Sequence, residues 1–593
     1  MSVYSTALWY GGITANKAVT YNLDSNITAS TAVSNQIISL FQGIASVTNL
    51  TFTISSNPST LIRADNTSRS SATYPSAGAD IALNTSHFSG AALKDHSTGT
   101  YNYIDLLHEA LHTTGLRHIH VGDSNFNETV ALSNLRANFT YFCGDGTGTY
   151  AADNLNRAWM TVMSYDYGAN PYAVKPMILD VISLGEQYGI TNKNNGDTIY
   201  SAINGYIAGR YSTEVDTAGI DTVDMSSESS SMVIHLGVDV GASYKVGIAT
   251  TALGWAAMHA SGDTVKNPNS LLWLYGDIEN ATGGSADDTI NGNSLNNFLN
   301  GGRGNDILYG GAGNDTFDWD TASRGGNDTF YGGTGDDTFV VDSLGDVVVE
   351  YADEGTDLIW ASSNYSIASV ANVEKLFLFG TGNFNGTGNN LNNTLRGNSG
   401  NNALDGGAGL DTCVYQGSAS SYNITLGSTG STVLDKTANR DGTDTLTNVE
   451  RLQFADNNVA LDVAATQNAG AVYMLYKAAF NRPADPGGMG YWLAQKDNGQ
   501  DIVDSLAQGF VNSAEFIATY GSNPSNATFV DKLYQNVLGR VGETSGIIYW
   551  NQQLNAGIVS KAAVLVQFAT LAEGASLVAN EISQGITYTQ WLG

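Results

Sequence analysis

The sequence predicts a multidomain chain: an α/β domain over residues 1–195, a parallel β-roll over 196–345, a second β-region of the same kind over 346–465 and an all-α module over 466–593. Three observations predict it. The first third mixes helical and strand periodicities. From Gly283 the chain follows a nine-residue period of the form GGxGxDxUx, where U is a large apolar residue, over 283–318, over 323–340 after a four-residue insertion, and again over 388–414. The last zone repeats itself after 58 residues with helical spacing of its apolar positions.

Composition narrows the partners. Lys plus Arg number 25 against 56 Asp plus Glu, a net charge of −31. Such a chain is repelled by phosphate backbones and anionic lipid surfaces, which argues against nucleic-acid and membrane-surface partners and makes divalent cations the natural counter-ions. No stretch has the roughly 18–20 apolar residues of a membrane span, so no membrane insertion is expected. Two cysteines, Cys143 and Cys413, rule out a disulfide framework and read as inert thiols. The N-terminus has neither a cationic segment before Lys17 nor a sustained apolar run, so export, if it occurs, is expected by a route without a general secretory signal. A monomer is expected.

In the first zone, Ile37, Ile38, Leu40, Phe41, Ile44 and Val47 predict a helix over 33–47, and 50–54 alternates like a strand. A second helix is predicted over 103–114, ended by Gly115, and a third over 176–188, opened by Pro176 and followed by Gly189. The second helix carries the sequence His108-Glu109-Ala110-Leu111-His112-Thr113-Thr114-Gly115-Leu116-Arg117-His118. His108 and His112, four apart on a helix, can reach one metal ion, with Glu109 placed to accept a proton from water. Gly115 lets the chain turn and deliver His118. Three imidazoles leave an open position, the arrangement of a single catalytic zinc. With 8 histidines in the whole chain, chance assembly of this pattern is negligible.

Downstream, Thr161-Val162-Met163-Ser164-Tyr165 completes a pattern that resembles the metzincins, specifically the serralysins, over roughly residues 1–340. The resemblance implies a metzincin α/β catalytic domain and a zinc endopeptidase acting on protein or peptide substrates. Met163 would form the methionine turn beneath the zinc, and Tyr165 would stabilise the oxyanion. Ala79, Asp80, Ile81, Ala82, Leu83 and Asn84 would form the edge strand with which substrate pairs. Departures are Ile119 and His120 after the third histidine, so that His120 could compete as a ligand, and Thr114 where the family has a larger apolar residue.

In each nonapeptide the glycines permit a turn at positive φ, and the following three residues form a short strand with U inward, so that two repeats make one coil. Ile290, Phe298, Ile307 and Phe317 are read as U positions. The sixth-position carboxylates Asp288, Asp306, Asp315, Asp328, Asp337 and Asp411, with turn carbonyls, are expected to hold several structural calcium ions. Asn297, Asn393 and Asn402 occupy the same position and predict weaker or empty sites. The blocks resemble RTX repeats, which implies a secreted, extracellular protein that passes a type I secretion apparatus unfolded and folds outside on calcium.

In the last zone LYKAAFNR at 475 returns as LYQNVLGR at 533, Tyr491-Trp492 as Tyr549-Trp550, and Glu515 as Glu573. The paired aromatics are expected in a core, and Arg482 and Arg540 are expected to tie loops together. This module resembles helical repeat domains found at the ends of bacterial RTX proteins. It is expected to be dispensable for peptide cleavage and to serve attachment, stability or export. Residues 341–593 also keep open a second class of function, a calcium-dependent surface or surface-layer protein whose protease domain is secondary or vestigial.

Overall fold

The structure, a computed structural model, describes residues 196–201, 211–216, 218–238, 253–258, 270–318 and 325–591. In the N-terminal third it describes only the segments 18–23, 50–55, 60–65, 71–72 and 79–84, with helical residues between 35 and 45 and at 107 and 111. The first segments form a five-stranded sheet of β1 (Ala18–Leu23), β2 (Thr51–Ile54), β3 (Thr60–Asp65), β4 (Ser71–Ala72) and β5 (Ala79–Asn84), in the order β2-β1-β3-β5-β4. All neighbours are parallel except β4, which runs antiparallel to β5. The predicted helix is present: Ile37, Leu40, Phe41 and Ile44 are helical and fully buried. Phe41 packs on Tyr21 and Phe52 of the sheet, with ring centroids 4.7 and 4.6 Å away. Leu107 and Leu111, four apart, are also helical and buried.

One expectation is corrected here. Strand β5 has the predicted bounds, but it is not the edge of the sheet. Its whole length pairs with β3 on one side, and Ile81 and Ala82 pair with Ala72 and Ser71 on the other, so the outer position belongs to β4.

The chain divides into two compact units, residues 1–339 with 345–349, and residues 340–344 with 350–593. The first unit contains a β-roll. One face is an eight-stranded sheet of β7 (Tyr211–Val215), β9 (Met232–Val238), β10 (Leu253–Met258), β11 (Ser270–Tyr275), β13 (Thr289–Asn291), β15 (Ile307–Ala312), β17 (Thr329–Thr334) and β19 (Val347–Val349). The opposite face runs through β6 (Ile199–Tyr200), β8 (Thr222–Asp224), β12 (Asn280–Thr282), β14 (Phe298–Asn300), β16 (Thr316–Phe317) and β18 (Thr338–Val341). Successive repeats alternate between the faces, and parallel partners such as Thr289 and Ile307 are two repeats apart, as predicted. Between the faces, Ile234, Ile290, Leu308 and Phe330 face Val223, Leu299, Phe317 and Phe339, all fully buried. Phe298 and Ile307, read above as inward, stand one residue earlier and are 45% and 39% exposed. The nine-residue frame puts Leu299 and Leu308 at the eighth position, and strand alternation sends their predecessors to solvent.

The second unit combines the second roll with the helices, which the sequence placed in separate domains divided at 465/466. Its roll strands are β20 (Leu358–Ala361), β22 (Lys375–Leu378), β24 (Thr394–Arg396), β26 (Thr412–Val414) and β30 (Arg451–Gln453) on one face, and β21 (Tyr365–Ser366), β23 (Asn385–Thr387), β25 (Ala403–Asp405) and β29 (Thr443–Thr447) on the other. An antiparallel hairpin, β27 (Tyr422–Leu426) with β28 (Ser431–Asp435), widens the second face beside β29. Cys413 occupies an inward position, fully buried, and burial pushes its thiol well above the ordinary range, as an inert cysteine should be. Strand β31 (Asn458–Ala460) follows β30 antiparallel, and β32 (Ile586–Tyr588), near the end of the chain, adds to β31.

Between them lie two copies of one helical unit. Helices α1 (Asn468–Phe480), α2 (Pro486–Asp497), α3 (Gln508–Val511, entered through a π turn at Ile502–Ala507) and α4 (Ala514–Tyr520) return as α5 (Asn526–Leu538), α6 (Thr544–Asn555), α7 (Lys561–Ala569) and α8 (Ala572–Val578). The caps return too: Asn481 and Gly539 both end their helices in the left-handed region. Arg482 grips Glu515 through two hydrogen bonds of 2.7 and 2.8 Å, and Arg540 grips Glu573 in the same way at 2.8 and 3.1 Å. Trp492 and Trp550 pack against the shared core, whereas Tyr491 and Tyr549 remain exposed, so the aromatic pairs are core in only one member each.

Candidate calcium-binding turns

Each turn between strands presents its sixth residue to the preceding coil. Asp288, Asp306, Asp315, Asp328, Asp337 and Asp411 are all buried. Their Oδ1 atoms accept backbone N–H groups one coil earlier: Met232 to Asp288 (2.6 Å), Asp288 to Asp306 (2.7 Å), Asp306 to Asp328 (2.8 Å), Asn297 to Asp315 (2.7 Å), Asp315 to Asp337 (2.7 Å) and Asn393 to Asp411 (2.6 Å). The second carboxylate oxygen behaves differently. Oδ2 of Asp306, Asp315 and Asp411 is buried without a hydrogen-bond partner. A native protein rarely leaves a buried acceptor in that state.

The turn backbone brings more oxygen to the same place. A β-carbon on Gly283 would overlap both the Gly301 carbonyl oxygen and Asp288 Oδ2. One on Gly310 would overlap the Gly332 carbonyl and Asp315 Oδ2, and one on Gly406 the Asn448 carbonyl and Asp411 Oδ2. Glycine at the first position therefore lets a carboxylate oxygen and the carbonyl of the following coil converge. The second and fourth glycines, such as Gly302, Gly304, Gly311 and Gly313, supply the positive φ of the turn.

Burial raises the proton affinity of these acids, and neighbouring carboxylates raise it further. Asp306 is pushed up to about 8 by burial and then by Asp288, Asp328 and Asp318. Asp315 is likewise pushed to about 8 by burial and by Asp337. Asp288 and Asp411 rise to about 6, again chiefly through burial, partly offset by the backbone N–H groups they accept. At Asp315 and Asp411 anionic and carbonyl oxygens converge with no hydrogen atom between them, which fits a hard cation of calcium type, whereas at Asp288 the Gly284 N–H donates to Oδ2.

The asparagine turns close by another means. Oδ1 of Asn297, Asn393 and Asn402 accepts the N–H of the second residue of its own turn, from Asn293, Asn389 and Asn398 at 2.8, 2.7 and 3.0 Å. The amide nitrogen donates to a carbonyl one coil back, Glu279, Val373 and Phe384 at 2.9, 3.2 and 3.0 Å. The neutral amide thus supplies both donor and acceptor, in keeping with the weaker sites expected there.

The acidic rows also continue past the recognisable repeats. Thr198 N donates to Asp221 Oδ1 (2.8 Å), Asp221 N to Glu279 Oε2 (2.7 Å), Asp328 N to Asp346 (3.1 Å), Asn402 N to Asp444 (3.0 Å) and Asp411 N to Glu450 (3.0 Å). Burial pushes Asp221 and Asp444 up to about 7. The sequence held a signal for two of them: Gly219-Ile220-Asp221-Thr222-Val223 and Gly442-Thr443-Asp444-Thr445-Leu446 reproduce the second half of the nonapeptide.

His108, Glu109, His112, His118, Met163 and Tyr165 lie outside the described residues, as does the helix predicted over 176–188.

Residues 282–317, 324–348 and 387–416 match the RTX calcium-binding nonapeptide repeat (4 copies), and residues 507–578 match a domain of unknown function, DUF4214. No curated protein matches the chain. The turns within these three segments are RTX calcium-binding repeats wound into a parallel β-solenoid.

Proposed function

We propose that this chain is a secreted zinc endopeptidase whose rolls fold on extracellular calcium. The observation that carries the reading is the sequence His108-Glu109 through His118, with Met163 and Tyr165 behind it, in one chain with calcium-binding RTX repeats. In this reading His108, His112 and His118 would hold a zinc ion, which would supply Lewis-acid polarisation of water and of the scissile carbonyl. Glu109 accepts the proton of the attacking water and passes it to the leaving amine, and Tyr165 donates a hydrogen bond to the developing oxyanion. Two observations support it: the α/β character of residues 18–84, and the burial of helical Leu107 and Leu111, which an amphipathic helix through the motif requires. The same reading places the protein outside the cell after passage through a type I apparatus.

Casein zymography of the full chain, with and without chelator, tests it beside Glu109→Ala. The variant should retain zinc, measured by atomic absorption, and lose roughly 10²- to 10⁴-fold in peptide hydrolysis. Equal clearing by both proteins refutes the assignment.

A second reading, a calcium-dependent surface-binding protein, is favoured by one observation: helix α6 packs on the core only through partly buried side chains such as Trp550, and Ile548 and Tyr549 on it face solvent. That reading predicts no zinc-dependent hydrolysis from the wild type.

A further inference from the structure

We propose that the helical repeat pair is the closing cap of the second roll and that Arg451 transmits calcium occupancy at Asp411 to it; the inference rests on the calcium reading of the turns. A parallel solenoid ends in an unpaired strand edge and an open apolar end, both liabilities in water. Here β30 turns back as β31, pairing Arg451 with Ala460 and Leu452 with Val459, and β31 receives β32 from the far side of the helices, pairing Val459 with Thr587 and Ala460 with Ile586. Ala460 and Ile586 are buried in the same apolar cluster as Val472 and Leu475 of α1. Helix α2 covers the strand: Thr589 N donates to the Pro486 carbonyl at 2.9 Å, and Gly490 approaches the Thr589 carbonyl so closely that no β-carbon would fit. The ring of Trp591 meets that of Tyr491 edge-on at 5.1 Å. The repeats therefore complete the roll with their own last strand.

Arg451 is the joint. Its backbone N–H donates to the Asp411 carbonyl at 3.0 Å, and Asp411 N donates to the side chain of the adjacent Glu450. Its guanidinium, almost wholly buried, pairs with Asp462 and reaches both oxygens of Asp497 on α2 at 2.8 Å. Asp462 in turn accepts the N–H of Ala469, and its carbonyl accepts that of Gly470, so the same residue anchors the first turn of α1. Arg451 and Asp462 are buried and Asp497 is partly buried, and a buried cation is tolerated only with its anions in place, which makes the joint close as a unit. Asp411, whose Oδ2 lacks a partner, sits one backbone hydrogen bond from that unit. Cation binding there fixes the rung between β26 and β30 and with it the position of Arg451. The helices, which contain no GGxGxD turn, thus become calcium-dependent.

Hydrogen exchange read by mass spectrometry on the full chain tests this. In the wild type, calcium should slow exchange at least roughly tenfold in 394–414 and also in 469–497 and 586–591. Asp411→Asn should lose the effect in 469–497 while 283–348 still responds. Arg451→Met should keep the response in 394–414 and lose it in 469–497. Because that variant leaves two carboxylates without a cation, Arg451→Met/Asp462→Asn/Asp497→Asn is measured beside it and should likewise uncouple the helices. Helices protected equally with and without calcium in the wild type, or still coupled in the triple variant, overturn the proposal. A wild type in which calcium protects neither 283–348 nor 394–414 overturns the calcium reading itself.

Discussion

Replacing Asp315 by asparagine should act in opposite directions with and without calcium. Burial and the Asp337 carboxylate push Asp315 from 3.8 up to about 8. Each tenfold change in proton affinity corresponds to about 1.4 kcal/mol. At pH 8 the calcium-free fold therefore carries a penalty of at most about 5 kcal/mol at this residue, and relaxation of the surroundings brings the expected value to about 2–4 kcal/mol. Asparagine removes the charge and keeps an oxygen to accept the Asn297 N–H. Its amide nitrogen can take the place of Oδ2 facing the Gly332 carbonyl and donate to it. Calcium-free Asp315→Asn should accordingly exchange amides more slowly than the wild type in 307–317 at pH 8. With calcium the order reverses, because a charged ligand is lost and affinity at that turn falls at least about tenfold. The assay is hydrogen exchange of the same peptides in chelator and in saturating calcium. Faster exchange of the variant in chelator would refute the idea that the uncompensated carboxylate, rather than lost packing, limits the calcium-free roll.

The same physics sets a pH dependence. The folded-state affinities for protons are raised, so the calcium-free rolls are most stable below about pH 4 and lose stability as pH rises through about 6 for Asp288 and Asp411 and about 8 for Asp306 and Asp315. Circular dichroism in chelator should show strand content rising on acidification from pH 8 to pH 5; falling content contradicts the assignment. Gly310→Ala should abolish calcium-induced protection at its turn, since the new carbon overlaps Asp315 and the Gly332 carbonyl. Gly557→Ala, at φ 68° in open space, should cost only about 1–2 kcal/mol and leave calcium titrations unchanged. Tyr165→Phe should lower kcat with little change in KM, and a pure KM effect would remove Tyr165 from the transition state.

Much of the solenoid is legible in the sequence because its determinants are local. A turn needs glycine and a sixth-position oxygen within nine residues, so Asp288 through Asp337 and Asp411 could be picked out by period alone. Legibility fails where partners are distant. Asp444 follows Asn402 by 42 residues and Glu450 follows Asp411 by 39, because the hairpin β27–β28 intervenes. Period cannot register such a coil. Strand β32 is harder still: three residues after the helices carry no periodicity, and their strand state is decided by β31 and α2. The misassignment of Phe298 and Ile307 has a different origin. Two apolar residues stand side by side at positions seven and eight, and only the frame distinguishes them.

The asparagine turns have a consequence for the path of folding. A repeat array gains order from any rung that forms first and spreads to its neighbours. Asn393 and Asn402 are consecutive turns on opposite sides of one coil, and both close with neutral hydrogen bonds. That coil needs fewer ions than its neighbours and offers a surface onto which Asp411 and the strands behind it condense. In the first roll Asn297 stands alone, flanked by Asp288 and Asp306. Structure should therefore nucleate in the second roll at calcium concentrations that leave the first unformed, and a calcium titration should resolve two steps in that order.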